Sequence, residues 1–146
     1  MIIDSLQPIR RYYETGITRS YAFRIEQLKK FKAAVLKYET EIEAALYDDL
    51  KKSPEETYAT ETGLLIAELN TTIKHLRQWM RPEHRGTNLV NLPSSSYIVK
   101  DPLGVVLIIG AWNYPLQLLL IPLVGAIAAG NCAVIKPSEL SPATPP

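Results

Sequence analysis

The sequence predicts an α/β fold in which helices come first and a strand–helix–strand unit of a doubly wound parallel sheet follows. The chain changes near Lys100, from charged and helix-periodic to apolar and interrupted by Gly and Pro. In the apolar part, two runs rich in β-branched residues flank a longer apolar segment that starts with proline, as in a parallel βαβ unit. A single such unit is only the first part of a doubly wound sheet, so we expect the sheet to be incomplete. With 146 residues, the chain is also too short for a typical two-domain enzyme.

Composition limits the classes of function. Sixteen Lys and Arg against 15 Asp and Glu leave a net charge of +1, so no nucleic-acid partner is predicted. The single cysteine, Cys132, excludes an internal disulfide and fits a reducing compartment, so the cytoplasm is expected. Residues 1–11 lack the long apolar core and cleavage site of a secretory signal, and no metal site is predicted.

The first half of the chain has the spacing of amphipathic helices. Apolar residues recur mostly at three and four over residues 18–50, with a break expected near Glu39. Residues 53–56 then combine a serine cap, a proline and a glutamate, which is a helix-start signature. The apolar stripe of this second helix ends before Pro82. We interpret both apolar stripes as surfaces for ordinary packing between helices.

Three regions are expected. Residues 1–80 form the helical part of the domain. Residues 81–102, rich in Pro, Gly, Asn and Ser, form an extended excursion with one short strand at 97–99. Residues 103–146 form the first βαβ unit. Its predicted elements are a strand at 104–109, a tight turn at 111–114, a helix from Pro115 through Ala129, a stop at Gly130 and Asn131, and a strand at 132–135.

A membrane span is the alternative for the apolar part. Residues 103–135 carry no charged side chain, and this run is long enough to cross a bilayer. It contains four glycines, two prolines and two asparagines, however, and a proline-broken helix in lipid loses backbone hydrogen bonds. A buried parallel sheet also produces continuous apolar strands. No membrane span is therefore predicted.

Polar residues follow both predicted strands. Asn113 comes after the first strand, and Lys136 and Glu139 come at the end of the second. Ligands of open parallel sheets bind beyond the carboxyl ends of the strands. An ammonium and a carboxylate can bind ribose hydroxyls, and an amide can donate to an oxyanion, so a nucleotide site is predicted. Two plainer interpretations stay open: Asn113 as a helix cap, and Lys136 with Glu139 as a solvated pair.

Two long runs carry a resemblance to a known family. Residues 102–115, PLGVVLIIGAWNYP, and residues 125–139, GAIAAGNCAVIKPSE, resemble the Rossmann-like cofactor-binding core of class 3 aldehyde dehydrogenases. The earlier segments 18–20, 24–28, 48–53 and 74–79 resemble the N-terminal helices of that family. The resemblance covers the chain up to Ser141. No G-x-G-x-x-G loop is present, and the proline-rich ending departs from the family pattern.

The resemblance implies roles for individual residues. Asn113 matches the oxyanion-hole asparagine, and Lys136 and Glu139 match the ligands of the adenosine ribose of NAD or NADP. The other implied cofactor-binding residues are Ile109, Gly110, Ala111, Trp112 and Ser138. Glu139 should favour NAD by repelling a 2′-phosphate, unless it swings away. An aldehyde is the implied substrate, and residues 81–102 are the implied arm of a homodimer.

The resemblance also implies what this chain lacks. In the family, a cysteine thiolate attacks the aldehyde and a glutamate activates water, and both residues lie beyond residue 146 in the family pattern. Cys132 starts an apolar strand with no basic neighbour, so an inert, buried thiol is expected. The chain alone is therefore expected to be inactive. The alternative function is a non-catalytic module that pairs with other subunits.

Overall fold

The structure is a computed structural model that describes the backbone of residues 2–144 and the side chains from Leu6 onward. The helices are α1 (Ile2–Glu14), α2 (Tyr21–Lys37), α3 (Glu39–Leu50), α4 (Pro54–Thr57), α5 (Gly63–Trp79) and α6 (Pro115–Ala129). The strands are β1 (Glu83–Arg85), β2 (Ser96–Ile98), β3 (Val105–Ile109) and β4 (Cys132–Lys136). Short 3-10 turns lie at Ile17–Arg19 and Leu89–Asn91, and a π turn lies at Tyr58–Thr62.

The predicted helix boundaries in the first half are confirmed, and one helix was missed. The expected break near Glu39 falls at Tyr38, between α2 and α3. The expected helix start is also present, because the Ser53 hydroxyl accepts a hydrogen bond from the Glu56 amide at 3.2 Å. Helix α1 was not predicted, since its apolar residues come only in short pieces. It contacts β3 and β4.

The second predicted helix is interrupted by the π turn. The Gly63 amide donates to the Tyr58 carbonyl, five residues back, instead of to a carbonyl four residues back. A Cβ atom at position 63 would lie 2.5 Å from that carbonyl oxygen. Glycine is therefore the residue that lets the widened turn close. Helix α5 continues from Gly63 with regular geometry.

The main core lies between α2, α5 and α6. Apolar side chains from these three helices interdigitate and exclude water, which is the principal stabilising contribution to the helical layer. Its fully or nearly buried members are Leu28, Val35, Leu65, Leu69, Leu76, Leu116 and Val124.

A buried arginine joins α2 to the end of α6. Arg24 donates from Nε to the Thr18 carbonyl at 2.9 Å and from Nη1 to the Ala128 carbonyl at 3.1 Å. It fills the space beside Gly130, whose φ of +85° is the left-handed value that ends α6. A Cβ at Gly130 would lie 2.4 Å from the guanidinium. The predicted stop at Gly130 is thus confirmed, and it has a packing reason as well.

The predicted βαβ unit is confirmed. β3 and β4 are parallel neighbours, paired from Val105 opposite Cys132 to Ile109 opposite Lys136, and α6 connects them. Helix α6 begins at Pro115 and ends at Ala129, as predicted. Ile108 packs with α6 side chains, whereas Leu107 and Ile109 are exposed on the sheet. Within residues 2–144 this sheet has two strands, so it is incomplete, as expected.

The excursion forms a β-hairpin-like pair. β1 and β2 are antiparallel, with Glu83 opposite Ile98 and Arg85 opposite Ser96. β2 overlaps the strand predicted at 97–99, whereas β1 was not predicted because its sequence, EHR, has no apolar alternation. The uncharged run 103–135 is divided among β3, α6 and β4. Among the described helices, none has the length and hydropathy needed to cross a bilayer. The division of the chain into three regions stays a prediction.

Candidate functional site

The carboxyl ends of β3 and β4 form one edge of the sheet, and the predicted site residues follow both strands there. Ile109, the last residue of β3, lies opposite Lys136, the last residue of β4. The next amide, from Gly110, donates to the Lys136 carbonyl at 2.9 Å. A Cβ at Gly110 would lie 3.1 Å from the Leu119 side chain. Glycine at this position therefore lets the chain turn closely over α6.

The turn after β3 presents Asn113 to solvent. Ala111, Trp112 and Asn113 are all exposed. The N-cap of α6 is Tyr114, and no side chain from this turn caps the helix. Asn113 therefore does not serve as the helix cap, which was one of the two interpretations left open. Its side-chain amide makes no hydrogen bond with any residue whose side chain is described, so both donors are available to a ligand.

Lys136 and Glu139 form an ion pair at the end of β4. Lys136 Nζ lies 2.6 Å from Glu139 Oε2, and the side chains are 54% and 78% exposed. The hydrogen bond from Lys136 lowers the pKa of Glu139 below its ordinary value, so this carboxylate is charged at neutral pH. An exposed pair of this kind contributes little to stability. Both charges are therefore accessible to a ligand. The same geometry also fits a solvated ion pair that binds no ligand, so that interpretation stays open.

Ser138 has a local role in the same loop. Its hydroxyl accepts a hydrogen bond from the Leu140 amide at 3.2 Å, and its carbonyl accepts one from the Ser141 amide at 3.4 Å. Ser141 is fully buried. These contacts shape the turn that follows Glu139, and binding of a cofactor by Ser138 stays a prediction.

A second, unpredicted group of contacts fixes the end of this loop. Asp49, in the last turn of α3, accepts hydrogen bonds from the amides of Ala143 and Thr144 at 3.0 and 2.8 Å and from the Thr144 hydroxyl at 2.6 Å. Burial acts to raise the pKa of Asp49, but the Thr144 hydroxyl and the two amides outweigh it and lower that pKa below its ordinary value. The loop that carries Glu139 is thereby attached to α3.

A buried ion pair lies beneath the Asn113 turn, and it too was not predicted. Glu61, in the π turn, is 0% exposed, and Lys52, in the loop after α3, is 6% exposed. Glu61 Oε1 pairs with Lys52 Nζ, while Oε2 accepts from the amides of Leu116 and Gln117 at 2.9 and 3.2 Å. Lys52 Nζ also donates to the Asn113 carbonyl at 3.2 Å. Lys52 belongs to the segment 48–53, which resembles the family helices, but nothing in that resemblance predicts its contact with Glu61.

Cys132 lies away from this edge. It begins β4 opposite Val105, four residues before Lys136, and four residues of strand span about 13 Å. Burial raises the pKa of its thiol above the ordinary value, so the reactive thiolate form is disfavoured. Both observations support the expectation of an inert thiol, but the expectation that Cys132 is buried is only partly met, because the residue is half-buried.

Comparison with known proteins places the chain in a family. A sequence profile described as the aldehyde dehydrogenase family matches residues 15–145. The chain belongs to the aldehyde dehydrogenase family. An aldehyde dehydrogenase of Craterostigma plantagineum is 47% identical over 98% of this chain and 29% of its own length. Aldehyde dehydrogenase family 3 member H1 of Arabidopsis thaliana is 48% identical over 93% of this chain and 28% of its own length.

Solved aldehyde dehydrogenases have the same fold over this region. Staphylococcus aureus AldH, solved in a substrate-bound state, superposes with a TM-score of 0.96 at 44% identity, covering 99% of this chain and 31% of that one. A betaine aldehyde dehydrogenase of Staphylococcus aureus, solved with NAD+, superposes with a TM-score of 0.79 at 27% identity, covering 93% and 27%. The predicted class 3 resemblance is confirmed, and the chain spans less than a third of these relatives.

The Asp49 contacts predict a pH dependence. A carboxylate whose pKa is lowered by folding stabilises the fold above its ordinary pKa, 3.8 here, and loses that contribution as the pH falls through the lowered value. We expect the hydrogen-exchange protection of the Ala143 and Thr144 amides to fall about tenfold or more on acidification below 3.8. Asp49→Asn should show weak protection at all pH values. The exposed neighbour provides the control, Asp48→Asn, and equal loss in both variants would contradict the assignment.

Proposed function

We propose that this chain forms the nucleotide-binding edge and the oxyanion-stabilising turn of an NAD(P)-dependent aldehyde dehydrogenase. The observation that carries the proposal is the exposed Asn113 side chain, which makes no hydrogen bond among the residues whose side chains are described, at the sheet edge that ends in the Lys136–Glu139 pair. Such an arrangement offers donors to a developing negative charge next to polar groups suited to a ribose. The proposed compartment is the cytoplasm, on the basis of the single cysteine.

Asn113 would act on the oxygen of the aldehyde. When a thiolate adds to the carbonyl carbon, a C–S bond forms and the carbonyl π electrons move to oxygen, which becomes an alkoxide. The Asn113 side chain would donate an N–H to this oxygen, and a single donor of this type contributes roughly 3 to 4 kcal/mol in other enzymes. We propose that the thiolate belongs to a segment outside this chain, since Cys132 is neither near the edge nor activated.

The sheet edge fits an adenosine ribose. Glu139 can accept hydrogen bonds from vicinal hydroxyls and Lys136 can donate to them, and both are exposed at the end of β4. The turn 109–112 supplies backbone close to the same edge, where the Gly110 amide donates to the Lys136 carbonyl. A bound nicotinamide would supply the hydride acceptor. The NAD+ complex of the betaine aldehyde dehydrogenase supports a dinucleotide as the class of cofactor.

The role of Asn113 can be tested in a hybrid enzyme, in which residues 1–144 replace the matching segment of Staphylococcus aureus AldH. With hexanal as the probe aldehyde, Asn113→Ala should lower kcat about a hundredfold to a thousandfold, because the alkoxide loses a donor. The matched control is Cys132→Ala, which should leave kcat unchanged. The isolated 146-residue chain should show no turnover. A hybrid Asn113→Ala variant with full kcat would overturn the oxyanion role.

The charge of Glu139 predicts a preference for NAD. In the hybrid enzyme, Glu139→Gln should raise kcat/KM with NADP relative to NAD by about tenfold, because it removes the repulsion of a 2′-phosphate by a carboxylate that solvent partly screens. Lys136→Met should instead weaken the binding of both nucleotides, because it removes a hydrogen-bond donor that both would use. Steady-state kinetics with the two nucleotides give the ratio. An unchanged ratio in Glu139→Gln would place the 2′-phosphate away from this carboxylate.

We also propose that the region 81–102 contributes to a homodimer. Its apolar side chains are unusually exposed for a surface segment, with Leu89 at 81% and Val90 at 87%. Val90→Asp should shift the hybrid enzyme toward monomer, as measured by light scattering, because a charge would be buried in the interface. The control is Leu36→Asp, at an exposed site on α2. A dimer that withstands Val90→Asp would exclude this surface.

A further inference from the structure

The Lys52–Glu61 pair connects the helical layer to the turn that carries Asn113. We propose that Lys52 and Glu61 are positioning residues that fix the direction in which Asn113 presents its amide. This inference rests on the proposed oxyanion role of Asn113 and names the two buried charges on which that role depends. Neither side chain is accessible at the sheet edge, so neither is proposed to touch substrate or cofactor.

Glu61 anchors the start of α6. The first amides of a helix have no partner within the helix, and Tyr114 at the N-cap supplies none. Glu61 Oε2 accepts from two of them, those of Leu116 and Gln117, which come 55 and 56 residues later in the chain. A carboxylate at the positive end of the helix dipole is favourable, and the buried geometry strengthens it. The first turn of α6 is therefore held by the π turn.

Lys52 holds Asn113, the residue before the N-cap of α6. Its ammonium pairs with Glu61, donates to the Asn113 carbonyl at 3.2 Å and lies 4.1 Å from the centre of the Tyr114 ring. The carbonyl of Asn113 and the ring of Tyr114 are thus both attached to one buried cation. Because the Asn113 side chain has no hydrogen bond of its own among the described residues, its direction is set through its backbone.

Two irregular backbone segments place the Lys52 and Glu61 side chains next to each other. Lys51 has a φ of +57°, the left-handed value, and this ends α3 so that Lys52 turns inward. The π turn that Gly63 permits places Glu61 inward on the same side. Strained or irregular backbone is costly and concentrates at functional sites. Buried ion pairs are weak contributors to stability compared with apolar residues of similar volume. A positioning role explains why the chain keeps both the irregular backbone and the buried ion pair.

The test uses three variants of the hybrid enzyme: Lys52→Met, Glu61→Leu and the double variant. Each single variant should lower kcat for hexanal by about 10-fold to 100-fold with little change in KM, because a displacement of about 1 Å at the reacting centre has effects of that size. Single variants leave one buried charge without its partner and lose stability, whereas the double variant removes both charges. The double variant should recover only part of the lost thermal stability, because the Leu116 and Gln117 amides stay without their acceptor, and it should keep the low kcat.

A positioning role differs from a purely structural one because its effect on kcat depends on the Asn113 side chain. In the Asn113→Ala background the same substitutions should change kcat by less than about twofold, since they act through the amide that is already missing. The exposed Glu26–Lys30 pair of α2 supplies the control, Glu26→Gln with Lys30→Met, which should leave kcat unchanged. If the Lys52 and Glu61 substitutions lowered kcat by the same factor with and without the Asn113 amide, the positioning role would be overturned. Full kcat in the Lys52→Met, Glu61→Leu double variant would overturn it as well.

A second measurement uses the 146-residue chain itself. Glu61→Leu should accelerate hydrogen exchange at the Leu116 and Gln117 amides and leave the amides in the middle of α5 protected, because only the former bond to Glu61. Unchanged protection would overturn the anchoring of α6. If Asn113→Ala alone retains full kcat, the oxyanion role fails, and the exchange result still decides whether Glu61 holds the helix start.

Discussion

The structure depends on a single buried carboxylate, that of Glu61. An ionised group away from water must be paired and hydrogen-bonded, or its burial is prohibitively costly. Here the partners are the Lys52 ammonium and two amides at the start of α6. They come from the loop after α3 and from the βαβ unit. The helical layer and the sheet therefore cannot slide past one another without exposing an unpaired charge, and this fixes where the Asn113 turn lies.

Much of the fold could be predicted because Gly and Pro mark its ends. Pro115 fits the first turn of a helix and Gly130 adopts the left-handed conformation that ends one, so the predicted and observed limits of α6 coincide. The π turn could not be predicted, because a one-residue widening leaves the apolar spacing almost unchanged. The short strand β1 lacks any alternation, and only its pairing with β2 makes it a strand.

The candidate site was predictable where it follows the strands and unpredictable where it depends on tertiary contacts. Asn113, Lys136 and Glu139 stand directly after apolar runs, and parallel pairing brings the ends of those runs to one edge. Asp49 and Glu61 meet partners 94 and 55 residues away. No local pattern in the sequence distinguishes these two carboxylates from the exposed Asp and Glu around them.

The π turn makes the length of its segment matter more than its composition. A π turn contains one residue more than a regular helical turn, so deletion of a single residue within Tyr58–Thr62 would allow an unbroken α-helix from α4 to α5. The widened turn takes up its extra residue locally, so the helices on either side would face nearly the same way after the deletion. The deletion would instead remove the bulge that turns Glu61 inward, and with it the contact to Lys52. A deletion within α5, by contrast, would rotate everything before it by about 100°. Substitutions on the exposed side of the π turn keep that contact, whereas a change in its number of residues removes it.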